Sequence, residues 1–424
     1  MTPTKCFLIA IAVISLVAIP VFGGESVKLG LNYPKTGPYH VQGLDQWRAA
    51  NMAVEEINAA GGILGKQVEL VWTDSKSNAD DSKAHAVDLI DNQGVKMIFG
   101  GSSSGVACAV GDVCQEKGVP FFGTLTYSTA TTGKRGHRHT FRECYDAWMG
   151  AKAIGDYLNS KFAGKKYMYI TADYTWGWTT ESSVRKFTNT DDKDAHKGVL
   201  TPLGTKDFAK QLSLVKMIKP DVLVLVLFGQ DMVNAIRQAT SMGLKNSTQI
   251  VVPNLTLGMA EGGGPKVMEG VIGALPWCWQ VPYKYGYDKG KKFVEAFAAK
   301  HNRYPSTSGA SAYTIVHQYK EACERAGSFD APKVITALEG HEYTSLKDKQ
   351  WWRKFDHQSV QAVFAVKCKP QVDVMKDKFH LDYFEILSRV EGAEAAISKA
   401  EWEAVRAQNN LPSNLEPLKS MATR

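Results

Sequence analysis

The chain has 424 residues, 44% hydrophobic and 22% charged, an ordinary globular composition with length enough for two or more domains. Its formal charge of +7 is the difference between 50 basic and 43 acidic residues spread along the chain. The densest basic patch is Lys134-Arg135-Gly136-His137-Arg138-His139, too small to predict a nucleic-acid partner.

The first residues predict export. Lys5 precedes an apolar run from Phe7 to Ile19, Pro20 breaks it, and Val21-Phe22-Gly23 offers a cleavage site, so residues 1–23 read as a secretory signal peptide and the mature protein as periplasmic. Cys6 precedes the apolar run and is not placed for lipidation. Cys108, Cys114, Cys144, Cys278, Cys323 and Cys368 remain after processing, an even number that permits disulfides in an oxidising compartment. Cys108 and Cys114 share one predicted helix, six residues apart, and so point to different faces. No C-x-x-C occurs, and no cofactor is expected.

In chain order, Val27–Asn32 predicts a strand and Pro34–Gly43 a loop. The spacing of Trp47, Ala50, Met52, Ala53 and Ile57 predicts a helix ended by Gly61-Gly62. Gln67–Thr73 predicts a strand and Asp80–Gln93 a helix. The apolar run Val95–Phe99 then breaks into two glycines and three serines, Gly100 to Ser104. After a short helix a second run, Val119–Phe122, breaks into Gly-Thr-Leu-Thr-Tyr-Ser-Thr. Short apolar runs separated by helices are the pattern of parallel βαβ units, whose ligands sit at the carboxyl ends of the strands. Two hydroxyl-rich strand ends side by side make a site for a small polar ligand, held by its carboxylate or amide end.

Here the sequence resembles a known family. The run T-G-P (Thr36–Pro38), a helix ending E-E-I-N-A-A-G-G-I-L-G-K (Glu55–Lys66), a strand and then the hydroxyl lips is similar to the type I periplasmic substrate-binding proteins. The branch it resembles serves ABC importers of branched-chain amino acids, amides and urea, and the likeness runs from about Val27 to the 390s. The resemblance implies two Rossmann-like α/β lobes with parallel sheets joined by a three-crossing hinge. The expected division is residues 24–143 plus 281–343 in the N-terminal lobe, 144–280 plus 344–390 in the C-terminal lobe, and 391–424 as a helical tail. It also implies a small-molecule ligand, a permease partner in the inner membrane, and no catalysis.

A second βα series follows. The stretch from Thr140 predicts a helix, Lys166–Thr171 a strand, Asp173–Trp178 an aromatic loop followed by another helix, Pro202–Thr205 a strand remnant, Phe208–Ile218 a helix, and Asp221–Phe228 a strand buried at a sheet centre. Asp231–Met242 predicts a helix, Gln249–Pro253 a strand and Asn254–Gly258 its loop. Gly270–Gln280 would cross back to the first lobe, on which helices Gly290–His301 and Ser311–Gly327 would pack. His341–Gln350 reads as a linker, 354–359 and 361–369 as two strands, and Asp382–Gln408 as a surface helical tail.

The resemblance also assigns candidate ligand residues one at a time. Ser104, with Ser103 beside it, falls where relatives hold a ligand carboxylate. Leu125, Thr126 and Tyr127 fall on the second lip, and Gln42, with Tyr39 close by, at an aromatic wall. Trp176 and Phe228 replace covering tyrosines, and Tyr174 with Trp176 is similar to the D-Y-x-Y stretch of amide and urea binders. Asn254 falls where amino-acid binders place a glutamate. That exchange removes the counter-charge for an α-ammonium group, so the expected ligand is planar or apolar with one carboxylate or amide end. Trp178 is expected to be structural.

Two other readings are weaker. A sensory receptor of the same fold would pass closure to a signalling partner instead of a permease. Gly101-Ser102-Ser103-Ser104-Gly105 is formally G-x-S-x-G, the nucleophile-elbow pattern, yet no Asp and His partners can be singled out to complete a triad. His137 and His139 lack a third metal ligand nearby.

Overall fold

The computed structural model describes residues 25–418, so the proposed leader lies outside the described residues. The chain builds two sheets of the kind the alternating pattern predicts. The first is five-stranded and wholly parallel: β1 (Val27–Tyr33), β2 (Val68–Asp74), β3 (Ile98–Gly100), β4 (Phe121–Gly123) and β5 (Thr140–Arg142), in the order β2-β1-β3-β4-β5. The second contains β6 (Tyr167–Ala172), β7 (Gly198–Thr201), β8 (Val222–Val226), β9 (Gln249–Val252) and β10 (Ile272–Leu275), all parallel. A small antiparallel sheet of β11 (Glu342–Tyr343), β12 (Gln350–Trp352) and β13 (Ser359–Val360) follows. Then β14 (Val363–Cys368) and β15 (Phe384–Val390) return antiparallel to the edge of the second sheet, giving the order β15-β14-β10-β9-β8-β6-β7.

Seven helices position the site: α1 (His40–Ala59), α2 (Ala79–Asp91), α3 (Ser104–Lys117), α4 (Ala147–Phe162), α5 (Thr175–Thr188), α6 (Ala209–Ile218) and α7 (Gly229–Ser241). The first sheet is covered on one face by α1 and the helix Thr307–Ala326, whose Ile315, Val316 and Tyr319 share a core with Leu29, Leu31 and Phe99. On the other face Val106, Val110 and Val113 of α3 pack with Ile98 and Phe121. The β8 strand VLVLV is wholly buried, as its unbroken apolar run requires.

The chain passes between the two sheets three times: after β5, after β10 and before β14. Several elements differ from the sequence expectation. β5 is a strand at the end of the first sheet, where a helix was expected from Thr140; three residues are too few to show a period. β7 precedes Pro202 instead of following it. The aromatic stretch at 173–178 is largely the first turn of α5. Helix Asp288–His301 buries Phe293, Val294 and Phe297 in a cluster to which both lobes contribute: Phe293 meets Tyr313 of the helix Thr307–Ala326 at 4.5 Å, and Lys300 pairs with Glu55 of α1.

Residues 344–360, assigned by sequence to the second lobe, pack against the first. Trp352 lies in the first-sheet core, and Gln358 bridges Arg142 of β5. The expected surface tail is also corrected: residues 384–390 are the edge strand β15, and the following helix Lys399–Gln408 buries Trp402, which is 1% exposed. All six described cysteines are free and buried. Among the described residues, no helix is long and apolar enough to cross a membrane.

Candidate functional site

In a doubly wound sheet the crevice opens where neighbouring strands send their helices to opposite faces. In the first sheet this point lies between β1 and β3, whose following loops carry Tyr39 and Ser102 to Ser104. In the second it lies between β6 and β8, whose loops carry Tyr174 and Phe228. The two crevices face one another across a closed cleft. Tyr39 Oη lies 2.9 Å from Tyr174 Oη, the Tyr39 ring meets Phe228 edge-on at 5.2 Å, and Thr179 Oγ1 donates to Ser128 Oγ at 3.1 Å.

Glycine makes two of these approaches feasible. Gly100 turns the chain at the end of β3 with φ +117°, and a Cβ there would lie 2.2 Å from the Asn32 carbonyl oxygen. Gly229, at φ +57°, starts α7 directly under Tyr39; a Cβ would meet that ring at 2.5 Å.

Between the crevices lies a cavity of about 10 Å³, room for one water-sized sphere. It is lined by Tyr39, Ser102, Ser103, Ser104, Leu125, Tyr127, Tyr174, Trp176 and Phe228. Eight of the eleven sequence-assigned residues therefore meet here. Ser102 was not singled out, although the three-serine run was its signal; its Oγ accepts from Ser75 Oγ at 3.0 Å.

Three assigned residues do not line the cavity. Gln42 donates from Nε2 to Thr256 Oγ1 at 3.3 Å, and Thr126 Oγ1 is bonded to Thr131 Oγ1 at 2.7 Å. Asn254 donates from Nδ2 to Tyr145 Oη at 2.7 Å, and Tyr145 donates onward to the Ala274 carbonyl at 3.0 Å. Tyr145 in turn packs edge-on against Tyr127 at 5.2 Å. Asn254 thus supports the wall from behind, through a tyrosine that sequence reasoning missed.

The electrostatics of the cavity come from backbone. Tyr39, Ser103, Tyr174 and Phe228 are the N-cap residues of α1, α3, α5 and α7, and all four line the cavity. Only Ser103 spends its side chain on capping, accepting from Val106 N at 3.3 Å. Four helix N-termini therefore present their positive ends to one small space, although His40 N of α1 and Gln230 N of α7 are already bonded to the Gly37 and Pro38 carbonyls. None of the described lining residues carries a charge.

Two polar atoms on lining residues, Tyr127 Oη and Trp176 Nε1, are buried without a hydrogen-bond partner. Burial, together with neighbouring acidic groups, holds the Tyr127 phenol well above its usual range, so it stays a donor. Ser104 Oγ accepts from Ser128 N at 3.0 Å, which leaves its own proton to donate. Two acids reach the lining electrostatically: Glu143 acts on Tyr127, and Asp231, in the first turn of α7, acts on Tyr39 and Tyr174; the Asp231 carboxyl is raised to about 6 by burial despite accepting from Gly204 N at 2.8 Å.

The second lip is held by one buried side chain. Arg142, wholly buried, donates from Nε to Gln358 Oε1 at 2.5 Å and from Nη2 to Thr132 Oγ1 at 2.7 Å and Asp146 Oδ2 at 2.9 Å. Its Nη1 donates to the Ser128 carbonyl. It ties residues 128–132 to the first crossing. At the crossings themselves, Lys347 donates to the carbonyls of Pro276 at 2.7 Å and Ala362 at 2.6 Å, and Gln361 Nε2 donates to the Glu143 carbonyl. The formal G-x-S-x-G has no triad: Ser103 is a helix cap and Ser104 a loop anchor. The two histidines expected not to hold a metal are otherwise engaged in part: His137 lies between Asp112 and Glu416 at 2.8 and 3.0 Å.

Two doubly wound sheets with facing crevices, three crossings and a cleft closed between them define a two-lobed solute-binding protein. The sequence model of the periplasmic binding protein family matches residues 26–373, and the chain belongs to that family. It is similar to Leu/Ile/Val-binding protein homolog 7 of Brucella melitensis, 28% identical over 371 residues, covering 82% of this chain and 90% of the relative. Among solved structures it is similar to a periplasmic binding protein of Burkholderia mallei, at 24% identity with a TM-score of 0.80, covering 89% and 97% of the two chains. It is also similar to an ABC-transporter solute-binding protein of Rhodopseudomonas palustris solved with 3,4-dihydroxybenzoic acid, at 20% identity and a TM-score of 0.74, covering 87% and 98%. These relatives are solute-binding proteins, not enzymes.

Proposed function

We propose that this chain captures a small aromatic carboxylate in the periplasm and presents it, lobes closed, to an ABC permease of the inner membrane. The observation that carries the reading is the convergence of four helix N-termini, Tyr39, Ser103, Tyr174 and Phe228, on a cavity with no charged side chain. Such a space favours an anion and places no carboxylate on its lining to pair with an ammonium group. Five aromatic rings, those of Tyr39, Tyr127, Tyr174, Trp176 and Phe228, suit a flat apolar body. Ser104, Tyr127 and Trp176 Nε1 supply donors for the carboxylate. The lobes swing about the three crossings, and the ligand favours closure because it touches both lobes only when they meet. Residues 1–23 direct export.

The solved relative with dihydroxybenzoic acid shows that this fold accommodates such a ligand in another protein. The test is a thermal-shift screen of unfolded and refolded, ligand-free protein against benzoate, hydroxybenzoates, leucine, valine, short amides and urea. A ligand at a hundred times its dissociation constant adds about 2.7 kcal/mol, which is readable as a rise in Tm. Stabilisation by the benzoates alone is the expected result. Stabilisation by leucine or valine without the benzoates would refute it.

A further inference from the structure

A second cavity lies beside the first, on the other side of α5. It measures about 340 Å³, far larger than the closed cleft, and its walls come from three places. The second-lip loop of the first lobe gives Lys134, α4 and α5 of the second lobe give Trp148 and Trp178, and the C-terminal segment gives Ile397, Trp402 and Val405.

The side chains here fit neither a packed core nor an ordinary surface. Trp178, expected to be structural, is 52% exposed, although its indole N–H is already bonded to Asp173 Oδ1 at 3.0 Å. Trp148 is half-buried, with the Lys186 ammonium 4.2 Å from its ring centroid. Trp402 completes the set, its own N–H donated to the Thr132 carbonyl at 2.8 Å. Trp178 and Trp148 therefore offer the cavity apolar surface, with the polar tip of Trp178 already satisfied elsewhere, while Trp402, 1% exposed, closes the wall behind them. The charge at the rim is positive. Lys134 is exposed and makes no ion pair among the described residues, and Lys186 reaches Glu401 only at 3.5 Å in an exposed pair worth little. The acids that also line the cavity, Asp146 and Asp356, are neutralised by Arg142 at 2.9 Å and Arg353 at 2.5 Å.

We infer that this groove is a second ligand site, for an amphipathic carboxylate whose flat apolar body lies against Trp178 and Trp148 with its anionic end at Lys134 and Lys186. Tryptophan faces suit the flat apolar body, and the cationic rim selects the anionic end. The inference stands apart from whatever fills the main cleft.

The experiment is isothermal titration calorimetry of the full chain with 2-naphthoate, on wild type, Trp178→Ala, Lys134→Glu and the main-cleft variant Ser104→Ala. Both groove positions are exposed, so these two variants fold. Binding by wild type, weakened at least fivefold by Trp178→Ala and by Lys134→Glu and kept by Ser104→Ala, supports the groove. No heat up to 5 mM naphthoate overturns it, as does an isotherm that neither groove variant changes. Binding lost in Ser104→Ala assigns the naphthoate to the main cleft and also overturns it.

Discussion

Tyr127→Phe separates a ligand-binding hydroxyl from a structural one. The Tyr127 ring is 4% exposed and packs against Tyr145 at 5.2 Å and Phe228 at 5.7 Å, contacts that phenylalanine keeps. The hydroxyl that would be removed has no partner in the fold. A buried, unsatisfied hydroxyl costs about 1–3 kcal/mol, so its removal leaves the ligand-free protein as stable as before or more stable by up to that amount. In the complex the same hydroxyl donates to a carboxylate, a charge-assisted bond worth about 1.5–3 kcal/mol. Its loss therefore weakens binding by roughly 10- to 150-fold, since about 1.4 kcal/mol is a factor of ten. The two measurements are the Tm of ligand-free protein and the calorimetric Kd for the benzoate that the screen identifies. A Tm that holds or rises with a Kd at least tenfold weaker is expected. A fall in Tm with an unchanged Kd would refute the reasoning, because the hydroxyl would then be serving the fold.

Other perturbations give readouts of different kinds. Arg142→Gln leaves Asp146, with 4% of its side chain exposed, as an unpaired buried charge and frees the 128–132 loop; destabilisation by about 3–5 kcal/mol in denaturant titration is expected, with Arg142→Lys intermediate. His137 is raised to about 9 by its bonds to Asp112 and Glu416, which overcome a burial effect of opposite sign, so its stabilisation is complete below about 6.5 and is lost as pH rises through 9. The Tm difference between wild type and His137→Gln should vanish above that pH, and a difference that persists at pH 10 would show a packing role instead. Asp231, raised to about 6 by burial, has electrostatic contact with Tyr39 and Tyr174 of the cavity wall, so an anion bound there raises it further. Binding near pH 6 should take up protons, measured by calorimetry in buffers of different ionisation enthalpy; proton release would mark a cationic group in the ligand.

The parts of the site legible in the sequence were those set by strand-end chemistry. Ser103, Ser104, Leu125 and Tyr127 follow apolar runs directly, and a parallel strand delivers its following residues to the crevice. Tyr174, Trp176 and Phe228 were assigned by likeness to relatives, and they too follow strands, on the second sheet. Gln42 and Asn254 were placed by likeness to relatives, and both turned out one layer behind the wall, because Gly229 lets Tyr39 fold over α7 and because Tyr145 stands between Asn254 and Tyr127. That pairing joins residues 109 positions apart and leaves no local signal. β15 was read as helix since its sequence FEILSRV mixes charge and apolar residues without a clean alternation, matching its uneven burial at a sheet edge. The docking of Trp402 on the Thr132 carbonyl, 270 residues away, was equally invisible.

The state of the cleft bears on which ligands can compete for it. Tyr39, Leu125 and Tyr127 of the first lobe belong to the same apolar cluster as the core of the second, so closure buries aromatic surface across the cleft. The remaining 10 Å³ is too little for any solute, and a ligand must displace ring contacts such as Tyr39 on Phe228 to enter. Net affinity is therefore the gain from the new contacts less the loss of those rings' contacts with each other. A flat aromatic carboxylate replaces ring-on-ring packing with ring-on-ligand packing and adds the donors of Tyr127, Trp176 and four helix N-termini. A branched aliphatic zwitterion recovers less of the aromatic packing and brings an ammonium group into a space that offers it positive helix ends. Under the proposed function, the same rings discriminate against the amino acids that the leucine-binding relatives are named for.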